Sequence, residues 1–284
     1  LLLWSGGPYA LLLQISHPSV ALGSCRHSRF ATSSKSSSEL SSKCSSSNLE
    51  VTLSRLRRTT AYILAVAIGT PEQKTVIVEM VRKQHAFVRG TGKTVEGNEQ
   101  IKYDAADGEL QKWVAATLFM GVCKAKESFG WSCKAKEERW KLCKAHREYA
   151  IALNMPSEMW PRSMEEFDVY VEETMQERLV VTEEARKLAR ILLRDVAVPW
   201  WMSWVLPLAR VFMACWLPSG LREGYGLPDP KGWWVSGCYA VLVWAVALVD
   251  LVTPRVVNDA AFELMRRGME KAVEGIQMMG RWTI

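Results

Sequence analysis

A convincing run of alternating apolar and polar residues is missing from this chain. No run reads as a convincing strand, so the fold class expected is all-α. Seven cysteines include no Cys-x-x-Cys pair, which leaves neither a zinc ribbon nor a thioredoxin-type motif. His-Glu-x-x-His, a nucleophile elbow, a Walker loop and Gly-x-Gly-x-x-Gly are all absent. Their absence argues against zinc proteases, serine hydrolases and nucleotide enzymes. There is no Asn-x-Ser/Thr acceptor, in keeping with reduced thiols in an intracellular compartment. Basic residues are scattered among acidic ones, so the formal charge of +6 makes no concentrated face for nucleic acid. Residues 1–25 hold no Lys, Arg, Asp or Glu, and the chain begins at Leu1 without methionine, as expected of a fragment or processed form.

What is present suits a globular protein. In 284 residues, 49% apolar and 23% charged, there is ample material for one large domain with a sizeable core. Thirteen tryptophans point to a large apolar interior, a lipid-facing surface, or both. Tyr9–Ile15 reads as a core helix ending near His17-Pro18, because a residue before proline leaves the helical region. Residues 32–48 are serine-rich and poor in apolar side chains, as in a mobile insertion.

From Ser54 to Gly90 two helical segments meet at Gly69-Thr70-Pro71. Thr70 as N-cap, Pro71 in the first turn and Gln73 complete a capping box. Val78, Val81, His85 and Val88 recur at helical spacing, with Gly90 as the expected terminator. A further helix is expected from Asp107. Residues 122–149 hold a ten-residue repeat that puts Cys123, Cys133 and Cys143 in register. On one straight helix these thiols would rotate by about 80° per repeat, so a charged, solvated helical hairpin is expected rather than a metal site. Ser163 and Thr182 mark two more helix starts. Residues 197–218 are apolar but interrupted by prolines. Residues 232–253 are apolar and uncharged from Gly232 to Val249, near the lower limit of a membrane span. A buried helix and a membrane-embedded hairpin compete there. The buried helix is preferred, because Gly237 and Asp250 shorten the apolar length. An amphipathic helix over 259–279 closes the chain.

Four histidines are available for chemistry: His17, His27, His85 and His146. His146 lies in the charged repeat and is expected at the surface. His17 precedes a proline, where capping a helix is the common role. His27 sits in a polar turn able to reach a pocket. His85 lies on an apolar stripe and follows Arg55, Arg58 and Thr59, which share one region of helix. Arginines aimed into an apolar bundle need an anion such as a haem propionate or a reduced oxygen species; an exposed basic helix face is the alternative.

In order, the chain carries Leu11-Leu12-Leu13-Gln14, His17-Pro18, His27-Ser28-x-Phe30, Arg55-Leu56-Arg57-Arg58-Thr59 and Val81-x-x-x-His85-x-x-Val88-x-Gly90. Tyr103-Asp104-Ala105, Glu109-Leu110-x-x-Trp113-Val114-Ala115-Ala116-Thr117-Leu118, Met155-Pro156 and Leu221-Arg222 continue the series. This succession resembles the MpaB/rubber-oxygenase catalytic domain. That family includes all-α b-type haem dioxygenases that cleave polyisoprene double bonds, and a membrane-bound fungal oxygenase that shortens a farnesyl chain. The resemblance implies a single helical domain, globin-like in architecture, enclosing a haem b pocket, with O2 as co-substrate and a lipophilic alkene such as an isoprenoid chain as substrate. It implies His85 as proximal iron ligand and Arg55 and Thr59 as distal groups, with Arg58 where relatives place a lysine. It also implies association with the endoplasmic reticulum membrane. Ala115 stands where some relatives have histidine, so it serves neither as ligand nor as base. Two other readings stay open: a non-haem metal site built from His17, His27 and His85, and a non-catalytic helical protein whose apolar half packs against lipid or a partner.

Overall fold

A computed structural model describes residues 2–27, 41–93, 100–129, 135–195, 205–253 and 255–282. The chain opens with α1 (Leu2–Ile15), α2 (Pro18–His27), α3 (Ser41–Ile68) and α4 (Pro71–Ala86). A hairpin follows, β1 (Arg89–Lys93) paired antiparallel with β2 (Gln100–Asp104), Gly90 opposite Tyr103. Then come α5 (Gly108–Ser128), α6 (Lys136–Ile151), α7 (Met164–Glu177) and α8 (Glu183–Arg190). The series ends with α9 (Val205–Trp216), α10 (Ser219–Gly224), α11 (Trp233–Val252) and α12 (Arg255–Met279). The fold is all-α, with this one small hairpin among the described residues.

Helix starts follow the local chemistry of the sequence. Thr70 and Gln73 form the reciprocal box: the Gln73 amide donates to Thr70 Oγ1 at 3.3 Å, and the Thr70 amide donates to Gln73 Oε1 at 3.0 Å. Asp107 caps α5 by accepting from Glu109 and Leu110. Ser163 accepts from the Glu166 amide and Thr182 from the Ala185 amide. α8 then runs into a π-helical turn, Ile191–Asp195.

Two large apolar clusters result among the described residues, beside a small one that joins α9 and α11 through Val211, Ala214 and Val235. The larger joins α1, α5, α6, α7 and α9 around Leu12, Leu13, Trp113, Phe119, Phe167 and Met213. The other packs α3 and α4 against α12 through Ala61, Leu64, Ile77, Val78, Met269 and Ile276. On α12 the buried positions Met269, Ala272, Val273 and Ile276 fall at helical spacing, as its amphipathic pattern implies. α1 and α5 cross where both carry glycine. A Cβ on Gly6 would lie 2.6 Å from the Gly121 carbonyl oxygen, and one on Gly121 would lie 2.7 Å from that of Gly6. The absent side chains let the two backbones meet.

Several expectations are corrected. Gly90 terminates no helix: α4 ends at Ala86 with Phe87 as C-cap, and Gly90 belongs to β1. Only β2 carries an alternation, with Ile101 and the buried Tyr103 between polar residues, while β1 is Arg-Gly-Thr-Gly-Lys, lies mostly exposed and has no apolar side chain. α3 begins at Ser41, so residues 41–48 of the serine-rich stretch are helical, while 32–40 fall outside the described residues. The repeat does form a helical hairpin from α5 into α6, yet its Cys123, Ala125, Cys143 and His146 are buried rather than solvated. Cys133 lies outside the described residues. His27 ends α2 instead of occupying a turn. The preference for a buried helix over 232–249 also fails. Val235 is the one buried side chain of α11 among the described residues, while Trp233 is 86% and Trp244 78% exposed.

The glycine crossing makes a paired prediction. Gly121→Ala must push α1 from α5 and should cost about 1–3 kcal/mol, read from the urea midpoint. Gly7→Ala, one residue from the crossing but with open space around its Cβ, should gain about 0.4–1 kcal/mol.

Candidate active site

His85 lies in the last turn of α4, half-buried, and its surroundings form a closed circuit of hydrogen bonds. The Val88 amide donates to the His85 carbonyl at 2.9 Å, and the Ala105 amide donates to the Val88 carbonyl at 2.9 Å. Gln111 on α5 returns the chain of contacts. Its side-chain Nε2 donates to the Ala105 carbonyl and lies 3.3 Å from His85 Nδ1. Gln111 is only 5% exposed. The end of α4, both strand ends facing it and the first turn of α5 therefore converge on one imidazole. Coordination through this ring would fall to Nε2, the nitrogen that Gln111 does not touch.

The α3–α4 hairpin brings the arginine region to the same height. His85 is fifteen residues beyond Thr70, and Arg55 is fourteen before Gly69. At about 1.5 Å rise per residue both positions lie some 21–23 Å from the connection. Arg55 is on α3, with its side chain outside the described residues. Thr59, one turn on, is exposed, and Arg58 is half-buried with its guanidinium 5.9 Å from the Trp282 ring centroid. Arg58 is thus packed toward the end of the chain behind α12.

His17, His27 and His85 are not brought together. His27 Nε2 lies 3.2 Å from the Tyr103 hydroxyl, with the two rings edge to face. His17 accepts the Ala21 amide through its carbonyl at the start of α2, and its Nδ1 is buried without a hydrogen-bond partner among the described residues. Burial lowers its pKa, the Arg178 charge adds to that, and Asp107 partly opposes them. No group of three His, Cys, Asp or Glu among the described residues could hold a metal ion. The three-histidine alternative is therefore corrected: His17 precedes α2, His27 ends it and His85 lies on α4, and the three form no metal-holding group. Histidine is a residue type that can serve as the protein ligand of a haem, but here Nδ1 faces the buried Gln111 amide nitrogen and not the carbonyl or carboxylate that usually supports a metal-bound histidine.

His146 is a core histidine, with Nδ1 2.8 Å from the Leu142 carbonyl and its ring edge-on to Phe119 and Tyr149. Burial pushes the Cys143 thiol up to about 12, which leaves it unreactive. A surface cleft of about 470 Å³ between α6 and the Ser157–Met159 turn is lined by Trp140, Lys144, Arg147, Trp160 and Arg162 and shares no residue with the His85 circuit. Sequence reading missed Gln111. The available signal was a lone amide in helical register with the apolar Val114, Ala115 and Leu118.

Comparison with known proteins bears on the site. Residues 1–248 match the family model described as ER-bound oxygenase mpaB/B'/rubber oxygenase, catalytic domain. Two mycobacterial proteins, the uncharacterized protein Mb2261 of Mycobacterium bovis and the uncharacterized protein Rv2237 of Mycobacterium tuberculosis, are each 26% identical over 146 residues. The aligned stretch covers 51% of this chain and 54% of each relative, so the chain spans about half the length of the relatives it matches. No solved structure matches.

Acid sensitivity follows from His146. Burial lowers its pKa, with the Leu142 carbonyl partly offsetting the shift. The unfolded chain protonates this histidine below about pH 6.5 while the folded chain resists, so stability falls as the pH drops below that value. The slope contributed is at most about 1.4 kcal/mol per pH unit. Urea melts at pH 7 and pH 5 should show a smaller loss in His146→Met than in the parent.

Proposed function

The chain belongs to the mpaB/rubber oxygenase catalytic-domain family, and on that premise we propose that it is a haem-dependent oxygenase acting on a lipophilic alkene, an isoprenoid or terpenoid chain, with O2. The observation that supports this reading is the placement of the His85 imidazole at the end of α4, where Gln111 fixes its orientation. His85 would hold a haem b through Nε2. The haem would supply the chemistry of O2 activation, which no amino-acid side chain provides. Arg55 and Thr59, four residues apart on α3, would act as hydrogen-bond donors on the oxygen side. Arg58, adjacent to Thr59 but packed over Trp282, completes that basic set. Its guanidinium stays protonated and so cannot cap the iron as a neutral lysine amine would.

The optical spectrum of the chain reconstituted with haem tests this directly. The parent should show a Soret band, and His85→Ala should retain haem at least about 100-fold more weakly. Absence of the band, or one unaltered in His85→Ala, overturns the reading, as does stoichiometric iron without porphyrin. With haem bound, Arg55→Ala or Thr59→Val should slow turnover of an isoprenoid alkene by about 10²-fold or more.

One further observation favours attachment to lipid. Among the described residues no helix is long and apolar enough to cross a membrane, yet α11 turns Trp233, Val241, Trp244, Leu248 and Leu251 outward. We propose that this face lies on a lipid surface, where tryptophan rings suit the boundary between headgroups and acyl chains. Flotation with phosphatidylcholine vesicles should carry the parent chain and leave most of a Trp233→Ser/Trp244→Ser variant behind. Equal recovery of both would reject this role for α11.

A further inference from the structure

We propose that Gln111 is a positioning residue that sets the tautomer of His85, holding the ring with its proton on Nε2 and its lone pair on Nδ1. The inference rests on the reading of His85 as a haem ligand only for its consequence, not for its geometry. A backbone carbonyl has no hydrogen to give, so the Gln111 atom that meets the Ala105 oxygen must be the amide nitrogen. That nitrogen carries two hydrogens. One goes to Ala105, and the same nitrogen lies 3.3 Å from His85 Nδ1. The second hydrogen therefore points at Nδ1, which must receive it with a lone pair. In a neutral imidazole the proton then resides on Nε2.

Turning the amide over would put Gln111 Oε1 against the Ala105 carbonyl, two acceptors facing each other in a site that is 5% exposed at Gln111. The amide cannot drift away either. Its backbone nitrogen donates to the Asp107 carbonyl at 3.0 Å in the capped first turn of α5, and Ala105 is pinned by Val88. The circuit thus fixes both the orientation of the ring and which nitrogen holds the hydrogen.

The consequence for cofactor binding runs against the usual arrangement. Metal-bound histidines generally donate Nδ1–H to a carbonyl or carboxylate, which leaves the Nε2 lone pair for the metal. Here Gln111 favours the opposite tautomer, so it orients His85 but opposes coordination through Nε2. Removing the amide should remove its contribution to that preference, and replacing it by a carboxylate should reverse it.

The experiment is nitrogen-15 NMR of the histidine ring in the full chain without haem, at a pH above the imidazole range, with His85 assigned by His85→Gln. The parent should show Nε2 protonated and Nδ1 unprotonated. Gln111→Leu should give mixed tautomers, and Gln111→Glu should move the proton to Nδ1. Gln111→Met replaces Gln111→Leu if that variant does not fold. An Nδ1-protonated parent, or a parent tautomer unchanged in every variant, overturns the proposal. In a parallel haem titration, Gln111→Leu should bind about tenfold more tightly than the parent, as expected for one unfavourable hydrogen-bond preference removed. Weaker binding by that variant, if folded, would overturn the proposed opposition to coordination. A chain that takes up no haem in any form sinks the functional reading, while the NMR result still decides the tautomer.

Discussion

The last turn of a helix leaves its carbonyls without intrahelical partners, and at the end of α4 that deficit organises the centre of this molecule. The His85 carbonyl is satisfied by Val88, whose own carbonyl is satisfied by Ala105, whose carbonyl in turn takes the Gln111 amide. Each member comes from a different piece of chain: the helix end, the first residues beyond it, the turn after β2 and the start of α5. An imidazole on a fraying helix terminus would be a poor ligand, because a loose donor must be ordered at the moment of binding. The circuit orders it beforehand.

The circuit also spans the two apolar clusters, since His85 sits on the α3–α4–α12 side and Gln111 on the α1–α5 side. Other bonds tie α3 and α4 to the C-terminal end of α6. Arg82 donates to the Ala152 carbonyl at 2.8 Å, and the Tyr62 hydroxyl donates to the Tyr149 carbonyl. On the α1–α5 side the frame is rigid for identifiable reasons. Glycine meets glycine at the crossing, Trp113 donates to the Leu13 carbonyl at 3.3 Å, and Gln14 donates to Thr117 at 2.9 Å. Gln111 lies half a turn before Trp113 on the same helix, so the packing that buries the tryptophan also sets the reach of the amide toward His85.

α11 stands apart from this economy of buried contacts. It packs on α9 through Val235 and through Tyr239, whose hydroxyl receives the Trp216 indole N–H at 3.0 Å. Toward its C-terminal end it offers aliphatic and indole surface instead. A soluble monomer rarely leaves so continuous an apolar face uncovered, and the absence of charge from Gly232 to Val249 leaves nothing there for an acidic or basic partner to pair with.

Much of this was legible in the residues. The Thr70 box, the Asp107 cap, the α3–α4 break at Gly69-Thr70 and the amphipathic stripe of α12 are local events, decided within a few residues by hydrogen-bond geometry and helical period, and the ordered motifs fit the family shown by the match over residues 1–248. The hairpin was missed because β1, with two glycines and no apolar residue, has no face to bury, and the five-residue alternation of β2 that buries Tyr103 is too short to stand out alone. Burial of His146 and exposure of α11 were not legible either: charge density suggested the first was solvated and apolarity suggested the second was interior, but which face finds a neighbour depends on the whole packing. The sequence by itself determined that the chain is helical, where most helices begin, and that His85 lies on an apolar stripe. Only the tertiary structure decided that a glutamine twenty-six positions later holds that histidine, since the contact exists only once a strand pair has folded α5 back against the end of α4.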